Sequence, residues 1–136
     1  MPELCDRFDQ HPARDASLRS MKAVEAGDRE GWLALFADDA VVEDPIGQSP
    51  LDPEGLGHRG REAIAAFYDT VIGGNDVTFR IDQSWAAGNE VANVGTITTT
   101  MADGAVVHTD GVFTYRVNDE GQVTALRAFW EMSRLY

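Results

Sequence analysis

The 136-residue sequence has little cysteine, little positive charge and no long apolar run. Cys5 is the single cysteine, so an internal disulfide is excluded and a reducing cytoplasm is the expected location. No stretch approaches the roughly 18 to 20 apolar residues of a membrane span, and residues 1–14 lack the apolar core of a signal peptide. Lys and Arg total 11 against 23 Asp and Glu, a net charge of −12 that disfavours binding to nucleic acid or to an anionic membrane.

The sequence also lacks the short motifs of several enzyme classes. Neither GxGxxG nor GxxxxGK[ST] occurs, so the phosphate-binding loops of nucleotide enzymes are missing. His11, His58 and His108 stand apart from one another and from the cysteine, and their spacing favours exposed polar side chains over a zinc site. No GxSxG turn is present to position a serine nucleophile. We therefore expect neither a metal ion nor an organic cofactor.

Length and composition are those of one globular domain, with 43% hydrophobic and 25% charged residues. Residues 1–12 mix charges and prolines without periodicity, which predicts a flexible N-terminal tail or a weakly docked arm before a domain over residues 13–136. Helical spacing of apolar residues predicts three helices. The first spans Ala13–Ala26, the second begins after its cap residue Asp28 and reaches Phe36, and the third spans Glu62–Ile72.

The remainder of the sequence follows a strand pattern. A short strand, AVVEDPIG, ends in a turn, and a loop rich in proline and glycine precedes the third helix. After Asn75 the period changes to two, in four stretches separated by AAGNE, ADG and NDEG, which predicts four hairpin-linked strands. The predicted fold is α+β: a cone-shaped single domain with three N-terminal helices packed on a strongly curved, mainly antiparallel sheet.

Such a cone encloses a cavity that suits a small apolar ligand. Five aromatic residues are candidates for its lining, although each is also an ordinary core residue: Phe36, Phe67, Trp85, Phe113 and Trp130. One strand leaves its inward face undecided, because Thr96, Thr98 and Thr100 share one parity whereas Ile97 and Met101 share the other.

Asp44 differs from the other acidic residues in its setting. It follows VVE at the end of a predicted strand and precedes Pro45 and Ile46, so its carboxylate is expected at the rim of the cavity. Partial dehydration there disfavours the charged form and increases basicity, as a general base requires. The alternative interpretation is a turn residue that hydrogen-bonds its own backbone ahead of proline.

Four short strings form the most distinctive pattern in the sequence: AGD, ADDAVVEDPIGQSP, GREAIAAFYD and RAFW. Together they resemble bacterial steroid Δ-isomerases, the ketosteroid isomerases of the nuclear-transport-factor-2-like or SnoaL-like superfamily, and most closely a mycobacterial branch. The resemblance runs from the first helix to Trp130. It implies a cofactor-independent intramolecular isomerase of lipid metabolism that binds a steroid-like apolar small molecule and forms a homodimer through the exposed face of the sheet.

The resemblance also implies roles for individual residues. It places the general base of the family at Asp44, which would move a proton from one steroid carbon to another. It carries a supporting tyrosine of the family to Tyr68 and a pocket-wall tryptophan to Trp130. These three residues are retained at the positions where the family has them.

Two hydrogen-bond donors of the family are replaced in this sequence. The oxyanion tyrosine of the family falls at Ser20, and its protonated aspartic acid falls at Phe113, which cannot donate. Asp110 lies three residues before Phe113 and is therefore expected on the opposite sheet face. Two tyrosines are the candidate replacement donors. Tyr68 would reach across the space that Ser20 leaves, and Tyr115 lies on the same strand face as Phe113.

Four functions remain open at this point. The first is an isomerase of 3-oxosteroids with Asp44 as base, and the second is a non-catalytic or weakly catalytic binder of steroid-like molecules. A third is other acid–base chemistry on the same scaffold, such as epoxide opening or polyketide ring closure, for which Arg80 and Arg127 are the candidate partners of a carboxylate. The fourth is a protein-interaction domain whose aromatic residues are plain core.

Overall fold

Seven strands form one curved sheet in the computed structural model, which describes residues 1–136. The strands are β1 (Glu3–Leu4), β2 (Phe36–Glu43), β3 (His58–Arg59), β4 (Asp76–Ala87), β5 (Glu90–Thr100), β6 (Val106–Val117) and β7 (Val123–Phe129). Their order across the sheet is β1-β4-β5-β6-β7-β2-β3. β1 pairs with β4 and β2 with β7 in parallel, and the other neighbours are antiparallel. The predicted meander of four long strands is confirmed as β4 to β7.

Three helices pack against one face of this sheet: α1 (Pro12–Glu25), α2 (Arg29–Leu33) and α3 (Arg61–Phe67). The predicted cap of α2 is confirmed, because the Gly31 N–H donates to the Asp28 carboxylate at 3.0 Å. None of the helices combines the length and the apolar character needed to cross a membrane. The predicted cone of helices on a mainly antiparallel sheet is therefore the observed fold.

Two predicted helices end earlier than expected. α2 stops at Leu33, and Phe36 already belongs to β2, where it pairs with Val123 of β7. Backbone pairing with the sheet thus overrides the helical spacing of the apolar side chains at this point. α3 stops at Phe67, and the chain continues to Ile72 as a wider π-helical turn.

The core lies between the helices and the inner face of the sheet. Trp32 of α2 is its largest fully buried side chain, and its ring meets the edge of Phe36 with 4.6 Å between centroids. Val42, Val91 and Val123 from three different strands are buried in the same cluster. This packing fixes α2 over the end of the sheet where β2 begins.

The N-terminal segment, expected as a flexible tail or a weakly docked arm, lies against one sheet edge. Glu3 and Leu4 pair with Arg80 and Ile81 of β4, and the N-terminal amine forms an ion pair with Glu25. Helix α1 begins at Pro12, directly after this segment.

Gly95 permits a close approach between β5 and β4. A Cβ atom at this position would lie 2.0 Å from the Arg80 carbonyl oxygen, a backbone atom that cannot move aside easily. We expect Gly95→Ala to lower the free energy of unfolding by about 1–3 kcal/mol, measured by urea denaturation. Gly73→Ala is the control, because its Cβ would lie 3.4 Å from the nearest atom. Equal stability of the two variants would contradict this account.

Candidate functional site

A cavity of about 390 Å³ lies between the helices and the inner face of the sheet. Of its 24 lining residues 18 are hydrophobic, so the few polar side chains determine its chemistry. The six polar lining residues are Ser20, Asp44, Thr70, Asn75, Thr99 and Thr109.

The alternation of side chains along β5 and β6 determines which face of each strand lines the cavity. Ile97, Thr99 and Met101 of β5 face inward, and so do the odd-numbered residues of β6. The even-numbered residues point to the outer face, where the Thr96 hydroxyl donates to the Asp110 carboxylate at 2.6 Å. Asp110 therefore lies on the opposite sheet face from Phe113, as predicted.

Asp44 follows β2 and presents its carboxylate to the cavity. The Trp130 indole N–H donates to Asp44 Oδ1 at 2.6 Å, whereas Oδ2 has no hydrogen-bond partner in the protein. Burial raises the pKa of Asp44, and the Trp130 hydrogen bond and the electrostatic influence of the neighbouring His58 lower it in part. The arrangement leaves one carboxylate oxygen free to accept a proton from a ligand in the cavity.

A chain of three hydrogen-bonding groups lies at the same end of the cavity. The Trp32 indole N–H donates to Ser20 Oγ at 3.0 Å, and Ser20 Oγ lies 2.9 Å from the Tyr115 hydroxyl oxygen. An indole can only donate, so Ser20 accepts from Trp32 and remains free to donate to Tyr115. The Tyr115 proton is then free for a ligand. Burial raises the pKa of Tyr115 well above its ordinary value, which keeps the phenol protonated.

Six of the predicted site residues meet at the cavity. Phe67, Phe113 and Trp130 are lining residues, as are Ser20, Asp44 and Tyr115. Phe113 adds an apolar surface where the family resemblance leads to an acidic donor.

Tyr68 and Phe36 lie outside the cavity lining, which corrects two expectations. The space beside Ser20 is filled by Trp32, whose indole also packs against Tyr68 with 5.4 Å between ring centroids. Tyr68 is buried behind this indole and is not among the cavity residues. Phe36 is fully buried against Trp32 and belongs to the core.

Trp85 also lies outside the cavity, with 69% of its surface exposed. Val77 and Phe79 of β4 do face the cavity, and simple alternation would place Trp85 on the same side. The register of β4 against β5 shifts between Ile81 and Gln83. This irregularity reverses the parity of the strand, so Trp85 faces outward.

Sequence reasoning missed the contributions of Trp32 and His58. Ser20 on the apolar face of α1 is the signal that could have indicated Trp32. A buried hydroxyl requires a hydrogen-bond partner, and the Trp32 indole provides it. His58, expected as an exposed polar residue, packs its ring against Phe67 with 4.8 Å between centroids, and its Nε2 is buried without a hydrogen-bond partner. Nothing in its local sequence indicates this, because the β2–β3 pairing that places it is not local.

Neither candidate arginine contributes to the cavity. Arg127 forms an ion pair with Glu43 at 3.0 Å, and Arg80 forms one with Asp82 at 3.1 Å. Neither guanidinium belongs to the cavity lining, so Asp44 has no arginine partner there. No group of three or more His, Cys, Asp or Glu side chains has an arrangement that could hold a metal ion.

Comparison with known proteins agrees with this geometry. Residues 18–126 match the SnoaL-like domain family. The chain belongs to this family. A steroid Δ-isomerase of Nocardioides simplex is 32% identical to this SnoaL-like protein over 115 residues, which are 85% of this chain and 86% of that protein.

Two solved structures have the same fold as this SnoaL-like protein. The Δ5-3-ketosteroid isomerase from Mycobacterium sp. is 46% identical with a TM-score of 0.89, and the match covers 93% of this chain and 98% of that one. Rv0760c from Mycobacterium tuberculosis, solved with estradiol-17β-hemisuccinate, is 42% identical with a TM-score of 0.88, over 93% and 99% of the two chains. The resemblance to steroid Δ-isomerases that the sequence carries is thus confirmed.

The raised pKa of Asp44 predicts a pH-dependent cost to stability. A carboxyl group with a higher pKa in the folded state stabilises the fold below its unfolded pKa, and that stabilisation is lost as pH rises through the folded pKa. We expect Asp44→Asn to be more stable than the wild type at pH 7, with the difference shrinking towards pH about 4. Urea denaturation at both pH values measures it.

Asp69→Asn serves as a control of opposite sign. The Arg29 guanidinium donates to Asp69 at 2.8 Å and lowers the pKa of that carboxyl group, so its neutralisation is expected to reduce stability at pH 7. An Asp44→Asn variant that loses stability at pH 7 would show that Asp44 is not held in a dehydrated site.

Proposed function

We propose that this SnoaL-like protein is a cofactor-independent steroid Δ-isomerase that shifts a C=C bond of a 3-oxosteroid, with Asp44 as the general base. The observation that carries this proposal is a carboxylate with one unpartnered oxygen on the wall of an apolar cavity. The steroid isomerase relatives at 32% and 46% identity support the choice of reaction.

Proton transfer in this proposal begins at the carbon between the carbonyl group and the double bond. Asp44 Oδ2 takes a proton from this carbon, the C–H electron pair moves into the conjugated system, and negative charge develops on the carbonyl oxygen. The protonated Asp44 then returns the proton to the far carbon of the former double bond. A pKa raised by burial makes the carboxylate a stronger base than an exposed aspartate.

Tyr115 is the proposed donor to the developing oxyanion. Its hydroxyl lies at the cavity wall, and the Trp32–Ser20 pair orients it by supplying a donor behind it. Such a chain polarises each hydroxyl and strengthens the last donor. Removing one oxyanion donor costs about 10²–10³-fold in rate in enzymes that depend on it.

A binder without efficient catalysis is the second candidate. The observation in its favour is Phe113, which lines the cavity with an apolar ring. At this position the family resemblance predicts a second hydrogen-bond donor, which phenylalanine cannot provide. A computationally designed 17-OHP binder is 40% identical to this chain with a TM-score of 0.89, so this scaffold accommodates binding as a function in itself. The same cavity would then hold a steroid-like ligand without turnover.

Two further expectations belong to the same proposal. The homodimer is proposed to form through the outer face of the sheet, where Phe129 is 52% exposed beside a groove of about 750 Å³. A cytoplasmic location is proposed from the single cysteine, Cys5, which is free and exposed.

Ultraviolet absorbance tests the proposed reaction directly, because isomerisation of a Δ5-3-oxosteroid to the Δ4 isomer creates a conjugated enone. We expect the wild type to convert the substrate and Asp44→Asn to lose about 10²–10⁴-fold in kcat. Binding of the Δ4 product, followed by tryptophan fluorescence, checks that the variant retains its cavity. Binding by both proteins with no turnover above buffer would favour the binder and reject the isomerase.

Tyr115→Phe isolates the donor. It removes one hydroxyl and leaves the ring, so we expect kcat to fall about 10²–10³-fold with little change in product affinity. Tyr68→Phe is the matched control, because Tyr68 is buried outside the cavity and is expected to leave kcat within about twofold. A loss in Tyr68→Phe equal to that in Tyr115→Phe would overturn the assignment of the donor.

A further inference from the structure

One half-buried histidine takes no part in the proposed reaction as described so far. His58 Nε2 is the only buried side-chain nitrogen or oxygen of the protein that has no hydrogen-bond partner. Buried polar atoms almost always have a partner, so this exception requires an explanation. Packing alone does not supply one, because an apolar side chain would fill the same place without the cost of an unpaired nitrogen.

Strand pairing places His58 beside Asp44. His58 pairs with Val42 in the antiparallel β2–β3 ladder, and Val42 is fully buried, so both side chains point to the inner sheet face. Asp44 follows two residues after Val42 with the same parity, which makes it a diagonal neighbour of His58, about 7–8 Å away. The His58 ring also packs on Phe67, which lines the cavity. His58 therefore stands directly behind the cavity wall that carries the carboxylate.

His58 is the one basic group that faces Asp44. Tyr115 is the only other titratable residue that lines the cavity, and its burial keeps it protonated. Glu43, one residue before Asp44, points to the opposite sheet face, where it forms an ion pair with Arg127 at 3.0 Å. The charge on the Asp44 carboxylate is thus without an arginine or lysine partner.

The charged groups near His58 on its own strand and on α3 are engaged elsewhere. Arg59 lies on the outer face, where its guanidinium donates to the Leu56 carbonyl oxygen at 3.0 Å. Arg61, at the start of α3, forms an ion pair with Asp38 at 2.8 Å. Among the acidic groups, only Asp44 shares the inner face and the cavity wall with His58.

We propose that His58 is a positioning residue for the proposed reaction and that it acts through Asp44. A charged imidazole ring beside the carboxylate keeps Asp44 ionised in an apolar cavity, where burial alone would favour the neutral acid. A histidine ring ordinarily gains its charge as the pH falls from 8 to 5, so this support is present at acidic pH, where the base needs it. The inference rests on the proposed function, since the support matters only if Asp44 acts as a base.

Loss of the ring changes the behaviour of Asp44 in one direction. Burial raises the pKa of Asp44, and His58 lowers it in part. A variant without this ring therefore has a higher Asp44 pKa, and at acidic pH a smaller fraction of its molecules holds the base in the ionised form. Once ionised, that carboxylate is at least as strong a base, so the loss of activity shrinks as the pH rises towards 8.

Carbon-13 NMR of the aspartate carboxyl groups tests this without requiring turnover, and the Asp44 signal is assigned by its absence in Asp44→Asn. We expect the pKa of Asp44 to rise in both His58→Phe and His58→Gln. The first substitution keeps an aromatic ring and the second keeps a polar side chain, but neither can carry a charge. An effect of packing alone would therefore separate the two variants.

Activity towards the Δ5-3-oxosteroid provides the second measurement. Relative to the wild type, kcat/KM of both His58 variants is expected to fall about 3- to 10-fold at pH 5 and to recover towards pH 8. His108→Gln is the matched control, because His108 lies on the outer face of β6, where its Nδ1 is 2.9 Å from the Thr98 hydroxyl. This control is expected to change neither measurement. Thermal denaturation of each variant verifies that it is folded.

Two kinds of failure are distinguishable. An Asp44 pKa that stays in place, that rises in only one His58 variant, or that rises equally in His108→Gln overturns the role of His58 and leaves the steroid isomerase proposal intact. Absence of turnover in the wild type overturns the proposed function, and the role of His58 in it, whatever the titration shows.

Discussion

The rest of the site depends on a carboxylate placed against apolar surroundings. Asp44 has a single hydrogen bond within the protein, from Trp130, and burial raises its pKa. An aspartate satisfied by several donors would be more stable and a weaker base. Burial of Asp44 therefore lowers the folding stability at the position where the proposed reaction requires a base, as is common at functional sites.

The Trp32–Ser20–Tyr115 chain connects the two N-terminal helices to the sheet through hydrogen bonds at the cavity. The short Ser20 side chain on α1 accepts a hydrogen bond from the indole of Trp32, and its hydroxyl connects this indole to Tyr115. In the proposed reaction the oxyanion donor, Tyr115, therefore lies on the sheet. A sheet position suits this role, because β6 is paired on both sides and holds the phenol firmly.

Much of the fold and the position of Asp44 could be predicted from the sequence, because both depend on local patterns: helical spacing, period-two strands and the string EDPIG. Trp85 was misplaced because a register shift after Ile81 reverses the parity of β4, and no residue type marks that shift. Tyr68 was misplaced for a different reason. Its surroundings are decided by Trp32, which is distant in sequence and close only after folding.

The two faces of β5 and β6 differ in what their side chains contact: the outer face carries cross-strand hydrogen bonds, and the inner face lines the cavity. On the outer face Thr96 hydrogen-bonds to Asp110 and Thr98 to His108, each directly opposite on the neighbouring strand, so these pairs help to hold the two strands in register. Inward Thr99 and Thr109 have no partner in the protein. The register is therefore held from the outer face, and the inner face is left to shape the cavity wall, so the side chains that line the cavity can serve a ligand without weakening the pairing of the strands.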